Sequence, residues 1–191
     1  MAVDREAGEE QLKQLWQLYL AGRINLVFGD ESTFSMNPVL PYAWQRRGER
    51  IEIFPQRDKK MNLFGIFRPD NFCVSYECPK NINSDFLIAA IEDYCRYVHK
   101  PTVLVLDNAP THRSQKFMAA VERWMEANLY VFFLPRYSPH LNKAETFWRK
   151  AKYEWLKPQD YASFKKYKRR VYQIFDSIGL EYKIKFKEMM V

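Results

Sequence analysis

Apolar positions along the chain fall into two spacings, and the change from one to the other marks its elements. In residues 8–20, Leu12, Leu15, Trp16 and Tyr19 recur every three or four positions, which predicts an amphipathic helix ended by Gly22. The run Ile24 to Phe28 is a strand that stops at Gly29-Asp30. Residues 31–60 are looser and rich in proline, with a short strand expected over Ala43 to Arg47 before Gly48. Two clearer strands follow, Asn62 to Phe67 and Phe72 to Glu77, joined by the turn-forming Arg68-Pro69-Asp70-Asn71. Ser84 is expected to cap a helix that turns Leu87, Ile88, Ile91, Tyr94, Cys95 and Val98 to one side.

Thr102 to Leu106, TVLVL, is continuously apolar and β-branched, as a strand buried on both faces should be. A helix over about 113–127 points Phe117, Val121 and Trp124 inward, and Leu129 to Leu134 reads as a further buried strand. Helices are expected near 143–156, 161–177 and 180–189. Antiparallel strands first and alternating strand and helix afterwards predict an α/β three-layer domain, with a mixed central sheet flanked by helices.

At 191 residues and 47% hydrophobic, the chain suits one core. It has no apolar stretch of membrane-spanning length, and its acidic start, MAVDREAGEE, is unlike a signal peptide. A soluble, unexported, cytoplasmic protein is therefore expected. Cys73, Cys78 and Cys95 are too few and too scattered for a disulfide framework or a four-ligand zinc site, and read as reduced core residues. The net charge of +7 is unevenly spread: residues 1–142 hold 17 Lys and Arg against 17 Asp and Glu, and residues 143–191 hold 13 against 6. Basic runs interleaved with aromatics, such as FKKYKRR, suit a nucleic-acid backbone with unstacked bases. The same runs also suit solvated helix faces.

Asp30 and Asp107 each follow an apolar strand immediately, at the strand ends where open α/β sheets carry their sites. Glu145 lies three residues after Asn142, the spacing of a capping box, and from the first helical turn it can also point back over the sheet edge toward Asp107. Three carboxylates without a cysteine or histidine cage form a hard-oxygen site suited to Mg²⁺ or Mn²⁺. Two such ions roughly 3.5 to 4 Å apart clamp the attacking and leaving oxygens of a phosphodiester displacement. Glu31 is expected to point to the opposite face of the strand and is not counted as a ligand. Asp70, Asp93 and Asp160 read as turn or surface acids, and Trp148 as core packing beneath Glu145.

Around these acids stand Phe28-Gly29-Asp30-Glu31, Asp107-Asn108-Ala109-Pro110-Thr111-His112, and the long run from Leu134 through Tyr137-Ser138-Pro139-His140-Leu141-Asn142 to Glu145 and Trp148. In these segments the chain closely resembles the DDE transposases of the mariner-like superfamily, in particular the bacterial insertion-sequence branch. The resemblance covers roughly residues 24–156, and Lys143-Ala144 departs from the proline and aliphatic residue usual before the glutamate. It implies an RNase H-like fold and two-metal cleavage at transposon ends. It also implies transfer of the freed 3′-hydroxyl into target DNA, with Asp30, Asp107 and Glu145 as metal ligands. Asn108 and His112 would stand at the rim of the site, although His112 also fits a helix-start residue without a chemical role.

The resemblance further implies a homodimer on DNA, in a bacterial, nucleoid-associated setting. It divides the chain into a helical lead-in (1–23), a catalytic domain (24–156) and a basic helical extension (157–191). The lead-in is too short for the helix-turn-helix modules usual ahead of such domains, so a separate DNA-binding polypeptide, a truncation and a remnant all remain open. Candidate DNA-binding residues are Arg136, Lys143, Arg149, Lys150 and Lys152 near the site, and Lys165, Lys166, Lys168, Arg169 and Arg170 beyond it. An inactive or domesticated DNA-binding copy and another RNase H-like endonuclease are the competing functions.

Overall fold

The computed structural model describes residues 2–37, 47–48 and 56–186. Helix α1 (Ala2–Leu20) leads into the strands β1 (Asn25–Met36), β2 (Gln56–Phe67) and β3 (Cys73–Cys78). Then come α2 (Ser84–Tyr94), β4 (Thr102–Leu106), α3 (Gln115–Glu126), β5 (Leu129–Phe133), α4 (Ala144–Lys150) and α5 (Phe164–Asp176). The sheet order is β3-β2-β1-β4-β5, with β1 antiparallel to β2, β2 antiparallel to β3, and both β1–β4 and β4–β5 parallel. This is the mixed sheet of an α/β three-layer domain, as the element order predicted.

Strand alternation sorts the core into two layers. Leu26, Phe28, Met61, Leu63, Phe67, Val103 and Val105 face the layer that holds Leu12 and Trp16 of α1, Phe147 and Trp148 of α4, and Val171 and Phe175 of α5. Val27, Phe64, Ile66, Leu104 and Leu106 face the other layer, with Leu87 and Ile91 of α2 and Phe117 and Trp124 of α3. On the first layer Trp148 meets Phe34, Phe67 and Phe175 at steep ring angles and lies over Gly65, where a Cβ would come within 2.8 Å of the indole. Trp148 therefore packs in the core beneath Glu145, at 4% exposure.

Several expected elements differ in detail. β1 does not stop at Asp30 but runs on to Met36, and β2 starts at Gln56, so part of the stretch expected to be loose is strand. Asp30 lies within β1, opposite Gly65, because pairing with the long β2 carries the strand onward. The short strand over Ala43 to Arg47 falls almost wholly outside the described residues. β5 is an edge strand rather than a buried one: Leu129 is buried, but Tyr130 faces out and the rest is half-buried. The N-cap of α2 is Asn83, whose side chain accepts from the Phe86 amide, while the Ser84 hydroxyl donates to the Thr111 carbonyl. Val121 of α3 is only half-buried, and Ala120 takes the inward place beside Phe117 and Trp124. The helix expected over 143–156 changes to a π-helical turn at Ala151–Trp155, and α5 follows a separate 3-10 turn.

Residues 180–186 are not helical. α5 ends at Asp176 with Ser177 as its C-cap, and past Gly179, at φ +87°, the chain lies along the β2–β3 turn, where the Ile184 amide donates to Asn71 Oδ1 at 2.6 Å. Ile184 is buried between exposed Lys183 and Lys185, so the tail alternates with period two and cannot present one helical face. Asp160 is also not a surface acid. It is buried, accepts from the Lys157 amide at 2.8 Å and lies 3.7 Å from Arg170. Cys78 is buried and Cys73 and Cys95 are half-buried, all as free thiols.

Candidate active site

Register brings the first two acids together. In the parallel β1–β4 pair Phe28 stands opposite Val105, so two residues further on Asp30 stands level with Asp107. Both positions continue the parity of Phe28 and Val105 and so emerge on the face that carries α4. Gly29, between them and the core, faces the other layer so tightly that a Cβ there would meet Leu106 Cδ2 at 2.6 Å. Any side chain at that position would push β1 away from the end of β4.

The third acid is set by Asn142. Its buried side chain donates from Nδ2 to the Gly29 carbonyl at 3.1 Å and accepts the Ala144 amide on Oδ1 at 3.1 Å. The start of α4 is thereby tied to β1 beside Asp30, and Glu145 falls in its first turn. The reciprocal capping box expected of Asn142 and Glu145 does not form, because Lys143 occupies the N-cap without a side-chain bond. The carboxylate of Glu145 is left free of the helix terminus.

The three acids act on one another's charge. Burial pushes the Asp30 carboxyl up to about 7, and the charges of Glu31, Asp107 and Glu145 add to the shift. Glu145, at the exposed mouth, is raised by partial desolvation and then by Asp107, with His140 opposing. A cleft of about 590 Å³ holds Asp30, Glu145, His140, Arg149 and Lys152. A second cleft of about 440 Å³ holds Asp107, Asn108 and the Arg136-Tyr137 turn. Among the described residues no three acids, histidines or cysteines already close around one ion position. The donors are all oxygens and their mutual repulsion has no full internal counter-charge, which is the chemistry a divalent cation satisfies.

Asp107 is held from behind. His112, only 1% exposed, places Nδ1 2.8 Å from Asp107 Oδ1 and Nε2 3.1 Å from Glu31 Oε1, and the Ala109 amide donates to the same Asp107 oxygen at 2.9 Å. Burial alone would lower the imidazole's proton affinity, but the two carboxylates raise it to about 9. The bond from His112 holds the Asp107 carboxyl below its usual range. Glu31 does point to the face opposite Asp30, yet it joins the site through His112. No sequence spacing announces that contact, because His112 reaches around the end of β4 from the α3 side.

A sequence profile of the DDE superfamily endonucleases matches residues 25–168. The chain belongs to that family. No curated protein matches it in sequence. Among solved structures, this DDE endonuclease domain is similar in fold to the Mos1 mariner transposase of a paired end complex with Mn. There the TM-score is 0.60 at 19% identity, covering 93% of this chain and 56% of the Mos1 chain. It is also similar to a chain of the simian T-cell lymphotropic virus intasome in complex with PP2A regulatory subunit B56 gamma (TM-score 0.54, 13% identity, 84% of this chain and 50% of that chain covered). The HTLV-2 integrase catalytic core domain in complex with magnesium matches with a TM-score of 0.50 at 12% identity, covering 86% and 92%. The fold is therefore RNase H-like, as the motifs implied, and the chain spans little more than half of the first Mos1 chain it matches.

The expected basic residues divide by environment. Lys152 is half-buried beside Asp30, and desolvation lowers its proton affinity against the pull of that carboxylate. Lys143 is likewise half-buried and lowered by desolvation. Arg136 and Arg149 are exposed on the cleft walls. Lys150 pairs with Glu154, Lys168 pairs with Glu77, and Arg170 donates to the Tyr182 hydroxyl beside Asp160. Lys165, Lys166 and Arg169 stand exposed on α5. Arg113, which no sequence pattern singled out, lies over the Phe133 ring at 3.6 Å and donates from Nε to Asn108 Oδ1 at 2.9 Å. No helix among the described residues is long and apolar enough to cross a membrane.

Proposed function

We propose that this DDE endonuclease is the catalytic domain of a DNA transposase, which cuts phosphodiester bonds at transposon ends and joins the freed 3′-hydroxyl to target DNA. The observation that carries the reading is the convergence of Asp30, Asp107 and Glu145 on one sheet face, with the Asp30 carboxyl raised by its neighbours. These three are the groups to hold Mg²⁺ or Mn²⁺, and the neighbours solved with Mn and with magnesium support that choice of metal. Two bound ions would supply charge stabilisation at the attacking and leaving oxygens of an in-line displacement.

The chain's own residues prepare that site. His112 and the Ala109 amide fix the Asp107 carboxylate in one orientation and keep it ionised. Asn142 fixes the distance between α4 and β1. Lys152 offsets part of the charge beside Asp30, and Arg149 offers a contact to a backbone phosphate. A homodimer on DNA, with the element's ends located by a separate DNA-binding polypeptide, belongs to the same reading, and the Mos1 paired end complex supports assembly on DNA.

A substrate panel tests the reading. A pre-cut transposon-end duplex with a labelled 3′-hydroxyl, an RNA–DNA hybrid and a four-way junction are each incubated with supercoiled plasmid and Mn²⁺, with and without the upstream polypeptide. Covalent transfer of the labelled end into the plasmid is expected. Cleavage confined to the hybrid or the junction would instead make this a different RNase H-like nuclease.

A further inference from the structure

Next to Asp107 the surface changes character, from acids to two arginines and one outward-pointing tyrosine. The cleft that holds Asp107 and Tyr137 adjoins a second of about 500 Å³ that holds Arg113, and Asn108, Pro135 and Arg136 line both. Arg113 is held by two contacts, its guanidinium over the Phe133 ring and bonded to Asn108. Arg136 lies near enough for its charge, after burial, to lower the proton affinity of Arg113. Among the described residues neither arginine takes part in an ion pair. Two guanidiniums held close without an acid repel one another, and an anion between them relieves that repulsion.

Tyr137 supplies the second half. It is 91% exposed, with φ at 57°, in the left-handed region that bulky side chains rarely occupy. Pro135 and Pro139 flank the turn, and Pro135 is wedged against Gly8 of α1, where a Cβ would come within 2.5 Å of the proline ring. Core packing accounts for none of this, because the ring touches no buried layer. A strained backbone that holds an aromatic ring in solvent beside reacting groups is the arrangement of a contact completed by a ligand.

We propose that Arg113, Arg136 and Tyr137 form a subsite for one unstacked nucleotide of the DNA strand lying at Asp107, with the guanidiniums on its phosphate and the Tyr137 ring against its base. The subsite rests on the reading of this chain as an enzyme acting on DNA, and it narrows the substrate to DNA with unpaired nucleotides next to the scissile phosphate. Stacking on an aromatic ring tolerates any base, so the subsite selects strand state rather than sequence.

The test is a binding experiment in EDTA, where no cleavage occurs. The probe is a duplex with a three-nucleotide single-stranded 3′ extension carrying 2-aminopurine, compared with the blunt duplex of the same sequence. Wild type should bind the extended duplex about tenfold more tightly and quench the 2-aminopurine by stacking. Tyr137→Ala should lose both effects and Tyr137→Phe should keep them, with thermal midpoints unchanged because the ring is exposed. Arg113→Ala and Arg136→Ala should each lower the salt dependence on the extended duplex by about one phosphate contact, and by more than on the blunt duplex. Equal binding of the two duplexes by wild type, or full quenching by Tyr137→Ala, would overturn the subsite. A failure of the nuclease reading would appear elsewhere, as absence of metal-dependent cleavage by a protein that still quenches the probe.

Discussion

Asp30→Asn should stabilise the metal-free protein while abolishing its cleavage of DNA. Burial and three neighbouring acids raise the Asp30 carboxyl from 3.8 to about 7, and at 1.36 kcal/mol per unit this amounts to about 4 kcal/mol lost from the folded state once the group is ionised. Between about pH 4 and pH 7 the unfolded chain has released a proton that the folded chain retains, so the folded form binds more protons and stability falls as pH rises. Above pH 7 the carboxyl is ionised in both states and the penalty is constant.

The asparagine variant carries no such penalty. Its melting temperature should match that of wild type below pH 4 and exceed it at pH 8 by on the order of 10 °C, given roughly 2 to 4 °C per kcal/mol for a chain of this size. Millimolar Mg²⁺ should narrow the gap by stabilising wild type alone. Thermal unfolding of both proteins across pH 4 to 9, with and without the metal, reads all of this. A variant equal to or less stable than wild type at pH 8 would refute the idea that Asp30 lies uncompensated in an acid cluster.

Three further outcomes follow from the same geometry. His112→Ala should cost about 3 kcal/mol at pH 6, because two buried bonds to carboxylates are lost. That cost should shrink as pH passes through about 9, since a group raised from 6.5 contributes fully below its unfolded value and loses its contribution above the folded one; a difference constant from pH 6 to 10 in denaturant titrations would contradict it. Gly8→Ala, which on an ordinary helix adds about 0.5 to 1 kcal/mol of stability, should destabilise here through its clash with Pro135, and a higher melting temperature would count against that contact. Glutamates at Lys165, Lys166 and Arg169 should weaken DNA binding and flatten its salt dependence, whereas Lys168→Ala should act mainly by freeing Glu77; an unaltered salt slope in the triple variant would make α5 a solvated face.

Much of this architecture is legible in the chain because the informative signals are local. TVLVL reads as a central strand, and an acid placed directly after it, Asp107, emerges at the strand's end. The features that escape such reading depend on contacts made at long range. Alternation assigns Glu31 to the far face, and only the folded chain shows His112 reaching it around the end of β4. Asp160 looks like an ordinary turn acid until Lys157 and Arg170 close over it. β5 has the composition of a buried strand but lies at the edge, because nothing in its five residues records which strands flank it. The tail over 180–186 did carry a local signal, its period-two alternation, which the basic residues within it obscured.

The most direct test of the three-carboxylate site is nicking of a labelled duplex carrying the element's terminal repeat, in Mg²⁺, Mn²⁺, Ca²⁺ or EDTA, by wild type and by Glu145→Gln. Cleavage by wild type in Mg²⁺ or Mn²⁺ only, lost in the variant while DNA binding persists, is the predicted result. Cleavage by Glu145→Gln at the wild-type rate, or cleavage by wild type undiminished in EDTA, would contradict it.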